Sequence, residues 1–472
     1  MATTIVDDFV FKTKPWAHQR AALEFLNGHR AALLDYEMGT GKTRVLVDWI
    51  SNQPPGACHL VLCPKKVIPV WESEFAKWSS SRYWVAALEK SSESAKKKAT
   101  KVSQLIAWKT PKEGHKVIVV NYESAWRPGL KEVLLGHRWD TVVLDESHRI
   151  KDPTGRASKF CSQLGRRSAR NICLTGTPLP HSPLDSFAQF RFLDPEVFGH
   201  SWTKFRARYA VMGGYAVNGR PVQVVGYRNE GELAEKMGSL TIQARTDDVL
   251  DLPDAHHIDR EVELGQAGMR AYREMERLFM AYVNGRTVTA TNTLVKLLRL
   301  QQITSGYLPG ETPGAKPQKI DDSKEGMLRE ILEDLQETEK VVVFCRFTAD
   351  IEAVKRVAAD LGRRSAELSG QVNDLATWKA DPGITILAAQ VQAGKEGISL
   401  VEARYAIYYS IGYSLGDFIQ SLARIRRPGQ GHRCTYYHLI AKGTIDRKVY
   451  KALQKRKVVV DAILDDIREG KV

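Results

Sequence analysis

The stretch AALLDYEMGTGKTRVLVDWI, residues 31 to 50, constrains the fold more than any other: an apolar run, a glycine-bearing turn and an apolar-periodic segment read as strand, loop and helix. This is the layout of a phosphate-binding loop. Gly39 and Gly41 let backbone N–H groups approach an anion, and the start of the helix favours negative charge. The expected cradle is Gly39, Thr40, Gly41, Lys42 and Thr43, with Lys42 reaching the outer phosphates and Thr43 a ligand for magnesium. The full pattern G-x-x-x-x-G-K-[ST] calls for a glycine at position 36, where this chain has Tyr36.

Short apolar runs end at 31 to 34, 60 to 63, 117 to 120, 141 to 144 and 171 to 174, with helical segments between them and a motif after each. Runs at 341 to 345, 384 to 388, 405 to 410 and 434 to 440 repeat the pattern in the second half. Such alternation argues for parallel sheets in both halves, and open α/β sheets bind ligands at the carboxyl ends of their strands. The run TVVL leads into DESHRIK, residues 145 to 151, with two adjacent carboxylates where a strand leaves the core. Alone, such a pair is commonly a solvated surface feature. Beside a phosphate loop it acquires a division of labour: Asp145 completes a magnesium shell with Thr43, and Glu146 orients the attacking water. His148 is expected to face the next element and not the metal.

A chain of 472 residues with 43% hydrophobic content implies about two or three domains with ample cores. Its net charge of +14 is spread along the chain, as expected of a folded protein with a polyanionic partner, nucleic acid first among them. The start, MATTIVDDFVFKTK, lacks an apolar core for a signal peptide, and no stretch approaches ~20 apolar residues, so no membrane association is expected. A cytoplasmic location is the expectation. The six cysteines are scattered without zinc-like spacing and read as reduced core thiols. His256 and His257 are adjacent, so on a strand they point to opposite faces and cannot chelate one metal together.

With these motifs in order, the chain resembles the Swi/Snf-type translocases of helicase superfamily two over almost its whole length. Gln19, in KPWAHQR, is similar to the adenine-reading glutamine of that family. LVLCPKKVIPVWESEFAKW (60 to 78) resembles the segment that runs along a DNA strand, with Pro64, Lys65 and Lys66 as contacts. VVNYES (119 to 124) occupies the place of a second tracking element, with Tyr122 facing DNA. LTGTPLPHSPLDSF (174 to 187) resembles the coupling segment, which implies that Thr175 and Thr177 sit between nucleotide and DNA.

In the second half, LAAQVQAGKEGISLVEA (387 to 403) resembles the family's glycine-rich loop, although Lys395 replaces a usual glycine and Ser399 a usual asparagine. The resemblance implies DNA contacts at Gln392 and Lys395 and nucleotide contact at Gly397. QSLARIRRPGQ (420 to 430) is the most diagnostic piece, with Gln420, Arg424, Arg427, Gly429 and Gln430 at the family's spacing. On a helix Arg424 and Arg427 would share one face. An arginine that meets the γ-phosphate when two lobes close contributes ~10³–10⁵ in rate.

The expected fold is therefore α/β: two RecA-like parallel-sheet lobes with a mostly helical insertion between them. Residues 1–250 form the first lobe, with a helical and hairpin insertion at about 180–245. Residues 251–472 hold a helical linker region, a second lobe with its core at about 325–440, and a closing helix within 443–464 that braces the lobes. Segments 185 to 210 and 265 to 305 look helical, and YLPGETPGAKPQK (307 to 319) reads as an exposed loop. In GYAVNGRPVQVVGY (214 to 227), Asn218-Gly219 signals a two-residue hairpin turn, either scaffold or a DNA-touching element.

The resemblance implies an ATP- and Mg²⁺-dependent motor on duplex or branched DNA, acting as a monomer with no identifiable protein partner. It would remodel forks or branches or displace bound proteins. A strand-separating helicase and an ATP-gated clamp are the alternatives. The motor accounts for nearly the whole chain, as in short stand-alone bacterial or phage members, which points to the bacterial cytoplasm or nucleoid or an infected host cell.

Overall fold

Nine short strands of the first half include three, β1 (Ala31–Tyr36), β2 (Cys58–Cys63) and β4 (Gly114–Asn121), in which every residue is buried. Strands covered on both faces by crossover helices have this continuous apolar character. The coordinates are a computed structural model. They describe residues 6–89, 93–108, 114–217, 220–285, 290–308, 317–392 and 398–468, without the side chains of 214–217, 220–223, 278–285, 290–294, 456, 459, 462 and 464–468. The chain divides into two units, Met1–Leu250 with Val458–Val472, and Asp251–Lys457.

In the first unit the remaining strands are β3 (Arg82–Ala87), β5 (Trp139–Asp145), β6 (Ser168–Thr175), the pair β7 (Ala210–Val217) and β8 (Arg220–Tyr227), and β9 (Thr241–Ala244). Seven of them form one sheet in the order β3-β4-β2-β5-β6-β1-β9, and every pairing is parallel. The carboxyl ends of all seven therefore lie along one edge. Helices Ala17–Gly28, Lys42–Ser51 and Ile68–Trp78 cover one face through Leu23, Leu26, Trp49, Ile50, Trp71 and Phe75, all within one buried cluster.

The insertion carries helices Ser186–Leu193, Trp202–Tyr209 and Glu230–Gly238. Phe187, Phe198, Trp202, Phe205 and Tyr209 pack ring to ring there, with centroids 4.8 to 5.9 Å apart. β7 and β8 pair antiparallel, with Val217 opposite Arg220. The intervening Asn218-Gly219 turn lies outside the described residues. The span expected to be insertion as far as about 245 in fact returns to the sheet, since β9 is its edge strand.

The second unit holds β10 (Ala255–Val262), β11 (Tyr307–Leu308), β12 (Gln318–Lys319), β13 (Val341–Cys345), β14 (Arg364–Leu368), β15 (Ile384–Gln390), β16 (Tyr405–Tyr408) and β17 (Cys434–Ala441). Six of these form a second parallel sheet, β10-β17-β16-β13-β15-β14. The helices Gln266–Gly285 and Ala290–Thr304 precede β11, which pairs antiparallel with β12. Residues 309–316 of the expected loop lie outside the described residues. All six cysteines are buried free thiols. No described helix is long and apolar enough to cross a membrane.

Candidate active site

At the edge where β1 ends, Gly39 and Gly41 adopt φ of 89° and 87°, a left-handed conformation that costs glycine little. Gly41 is also the N-cap of the helix Lys42–Ser51. A Cβ there would sit 2.3 Å from Gln19 Nε2, so Gln19 lies directly against the loop. Gln19 accepts from Trp16 N–H at 3.0 Å and donates to the Thr40 carbonyl at 3.3 Å. A ring nitrogen of His18 lies 2.8 Å from that same carbonyl. Lys42 Nζ donates to the carbonyls of Tyr36 at 2.6 Å and Glu37 at 3.3 Å. Burial lowers its pKa, opposed by Glu146, Asp145, Asp35 and Glu37, in that order.

The missing glycine has a structural explanation. Tyr36 is not in the loop but is the last residue of β1, opposite Ala244 and fully buried, and its hydroxyl donates to His18 O at 2.6 Å. The turn begins after it, so only Gly39 and Gly41 need positive φ.

Two strands away, Asp145 ends β5 and is 5% exposed. Burial pushes its carboxyl up to about 7, the charge of Glu146 adds to this, and the Trp71 indole N–H, donating at 2.9 Å, and Lys42 oppose it. Glu146 has φ 52° and ψ 52°, one of two non-glycine residues with positive φ among those described. A left-handed conformation costs such a residue roughly 1–3 kcal/mol and survives where the surroundings fix it. His148 Nδ1 lies 3.3 Å from Glu146 Oε2 and 3.1 Å from Thr175 Oγ1, and Thr175 Oγ1 accepts from Thr177 N–H at 3.1 Å. The histidine thus faces β6, as expected, and links the carboxylate to LTGTP. A second link runs from Ser147 Oγ to Gln189 Oε1 (2.7 Å) and from Gln189 Nε2 to Pro178 O (2.7 Å).

Several expected DNA contacts are placed differently. Tyr122 is buried, 2% exposed, and its hydroxyl donates to Asp145 O at 2.8 Å, so its side chain secures the end of β5 instead of meeting a solvent-side partner. Thr175 and Thr177 are buried and take part in the His148 link. Pro64 is buried, whereas Lys65, Lys66 and Gln392 are exposed and Thr43 is half-buried in the first turn of its helix. Lys395 and Gly397 lie outside the described residues.

In the second unit the helix Leu415–Leu422 carries the buried Gln420 and stops before the arginines. Arg424 and Arg427 therefore do not share a helix face, which corrects the reading from their spacing. They still converge: each Nη1 donates to Ile398 O, at 3.2 and 2.9 Å. Arg424 is fully buried, and Arg427 is half-buried, its pKa lowered by burial. Gln430 is structural, its amide donating to the carbonyls of Val401, Ala403 and Ile425. Nothing in the sequence marked Trp71, Gln189, Asp35 or Arg245 as supports of the site; the pairing of β9 with β1 brings Arg245 to Asp35 and the loop.

The sequence profile of the SNF2-related domain matches residues 18–306. The chain belongs to the SNF2-related domain family. That match takes in Gln19, the phosphate loop, Asp145-Glu146 and Thr175–Thr177, and ends before β13. The SNF2-related chain is similar to the DNA repair and recombination protein RAD54B of Mus musculus, 23% identical over 522 residues that cover 96% of this chain and 56% of that protein. Similarity to the DNA annealing helicase and endonuclease ZRANB3 of Bos taurus is 22% over 446 residues, covering 92% of this chain and 39% of that protein. The chain spans between about two fifths and just over half of the length of these curated relatives. A solved structure, the Sulfolobus solfataricus SWI2/SNF2 ATPase core in complex with dsDNA, aligns with 98% of this chain and 95% of its own, at a TM-score of 0.45 and 21% identity.

Proposed function

We propose that this SNF2-related chain is an ATP-driven translocase on double-stranded DNA. The observation that carries the reading is that Lys42, after β1, and Asp145 and Glu146, at the end of β5, lie along one edge of the first unit's parallel sheet, with His148 linking Glu146 to Thr175 and, through it, Thr177. A nucleotide's phosphates compete with the Tyr36 and Glu37 carbonyls for Lys42 Nζ. Glu146, steadied by His148, takes up the proton of an attacking water, and a shift at Thr175 reaches the carboxylate through the same imidazole. Arg427 stabilises the charge that develops on the transferred phosphoryl group.

Among the described residues no group of three or more His, Cys, Asp or Glu could hold a metal by itself. The hydroxyl of Thr43 and the carboxylate of Asp145 are two hard oxygen donors, which suits magnesium, an ion held by one or two carboxylates together with substrate phosphates. When bound it neutralises phosphate charge and orients the nucleotide.

The net charge of +14, with Lys65 and Lys66 exposed at the end of β2, supports a polyanionic track. The names of the relatives, DNA repair and recombination protein and DNA annealing helicase, support DNA as that track and branched or forked DNA as the preferred form. Turnover measured with and without duplex tests the reading, and strand displacement on forked, Holliday-type and plain duplexes separates remodelling from unwinding. Hydrolysis should depend on DNA and fall with salt, since a motor making 6–10 phosphate contacts loses ~10³–10⁵ in affinity between ~50 and ~200 mM. Equal turnover with and without DNA would rule out a translocase.

A further inference from the structure

The peptide joining Tyr36 to Glu37 is the base of the phosphate loop, and it is held from two sides. On one side Gly176 of LTGTP lies so close that a Cβ there would be 2.9 Å from Tyr36 O and 3.1 Å from Glu37 Cα. On the other side stands β9 with the residues that follow it. Glu37 N–H donates to Ala244 O at 3.0 Å, and Thr246 N–H donates to Glu37 Oε2 at 2.8 Å. The Arg245 guanidinium bridges two carboxylates, with Nη2 3.3 Å from Asp35 Oδ2 and Nη1 3.6 Å from Glu37 Oε1.

Asp35 makes the arrangement unusual. It lies within β1, fully buried, and its Oδ2 also accepts from Gln243 Nε2 at 3.0 Å, while Oδ1 has no hydrogen-bond partner among the described residues. Burial raises its pKa and Arg245 opposes that rise. A partly satisfied buried carboxylate costs stability, and packing would be served better by an apolar residue. Its effect here is to give Arg245, whose side chain is 17% exposed, a second anchor beside Glu37. The Tyr36 carbonyl of this peptide and the Glu37 carbonyl of the next one receive Lys42 Nζ. From Arg245 the chain runs through the helix Thr246–Val249 to Leu250, where the first unit's long segment ends.

We infer that Arg245 is a positioning residue that clamps the base of the phosphate loop to the segment Gln243–Leu250, so that nucleotide loading is transmitted into the chain leading to the second unit. The inference rests on the nucleotide-binding reading of the loop. Phosphates that draw Lys42 Nζ away from the Tyr36 and Glu37 carbonyls change the forces on that peptide, and Arg245 with Thr246 N–H passes the change on. Gly176 connects the same peptide to LTGTP, so both segments respond to one event.

Hydrogen–deuterium exchange of the full chain, with and without Mg²⁺ and a non-hydrolysable ATP analogue, tests this. Peptides over 38–47 and over 243–250 should both exchange at least threefold more slowly with the analogue. Arg245→Lys keeps one charge but cannot bridge two carboxylates, and Glu37→Gln keeps an acceptor for Thr246 N–H while losing the ion pair. In either variant 38–47 should still be protected, and the response of 243–250 should fall below half that of the parent. If 38–47 responds in the parent and 243–250 does not, or if both variants respond as the parent does, the clamp is refuted and the nucleotide site stands. No response at 38–47 refutes the nucleotide site and the clamp together. Should Glu37→Gln fail to fold, judged by its melting transition, Arg245→Lys decides alone.

Discussion

In the first unit a lysine and two carboxylates meet at the carboxyl edge of the sheet, each steadied by a different kind of group: backbone carbonyls for Lys42, an indole for Asp145, an imidazole for Glu146. In the second unit two arginines are steadied by one backbone oxygen, that of Ile398. The first arrangement follows from parallel strands that end together. The second follows from a turn after a helix has stopped, and its two arginines differ in burial. The residues expected to act on the nucleotide thus divide into a group gathered by the first unit's parallel strands and a group bonded to the backbone of the second unit.

The largest effect should come from the first group. Lys42→Ala or Glu146→Gln should abolish ATP turnover while duplex affinity changes little, because affinity comes from many separate backbone contacts. Steady-state hydrolysis and a DNA-binding titration measure the two separately. Glu146→Gln turning over at the parent rate would remove that residue from the chemistry.

Next in size is the contrast between the arginines. Arg427→Ala should retain nucleotide binding and lose DNA-stimulated turnover by ~10³ or more, the range expected when a charge-stabilising arginine is lost. Arg424→Ala should instead lower stability by roughly 2–4 kcal/mol, since it removes a fully buried hydrogen-bonding side chain. Denaturant melts beside single-turnover kinetics separate these outcomes. If Arg427→Ala weakens nucleotide binding while turnover at saturation survives, the division just drawn is wrong.

The same contrast governs what could be read before the fold was known. Each apolar run singled out in the sequence lies in a central strand, whereas β3, β9, β10 and β14, which no run announced, are the edge strands of the two sheets. An edge strand has one neighbour and need not be apolar throughout: β10 is mostly exposed and β3 half-buried. The phosphate loop and Asp145-Glu146 were legible because they follow central strands. The burial of Tyr122 and the place of Arg245 were not, because both depend on which strands become neighbours. The arginine spacing misled about the helix, since a three-residue interval in Arg424–Arg427 suits a turn as well.

Tyr36 offers a smaller test of the first group. Tyr36→Gly would complete the sequence pattern of the loop, yet it deletes a fully buried ring from β1 and should cost roughly 3–5 kcal/mol of stability. Tyr36→Phe keeps the ring, loses the bond to His18 O, and should cost about 1 kcal/mol. Greater stability in Tyr36→Gly would mean that position 36 belongs to the loop after all.

The smallest effect compares a buried histidine in each sheet. Burial pushes His59 of β2 and His438 of β17 down to about 3, with His115 and His257 adding to the respective shifts. Both are therefore neutral in the fold at pH 5, where an unfolded chain with a histidine pKa near ~6.5 takes up a proton. The unfolded state binds more protons between ~6.5 and about 3, so stability falls as pH falls through that window, by at most about 1.4 kcal/mol per pH unit for each histidine. Neither ring nitrogen of His59 has a hydrogen-bond partner among the described residues, whereas His438 Nε2 lies 3.1 Å from His257 Nδ1 and its Nδ1 lies 3.3 Å from the Tyr450 hydroxyl. His59→Leu should then leave stability at pH 7 within about 1 kcal/mol of the parent and reduce the loss between pH 7 and 5. His438→Leu should reduce that loss too, but at pH 7 it should cost about 1–3 kcal/mol, because it strands His257 and Tyr450. Urea midpoints of both variants at the two pH values measure the difference. An unchanged acid loss in His59→Leu would show that this ring is not the proton acceptor that unfolding exposes.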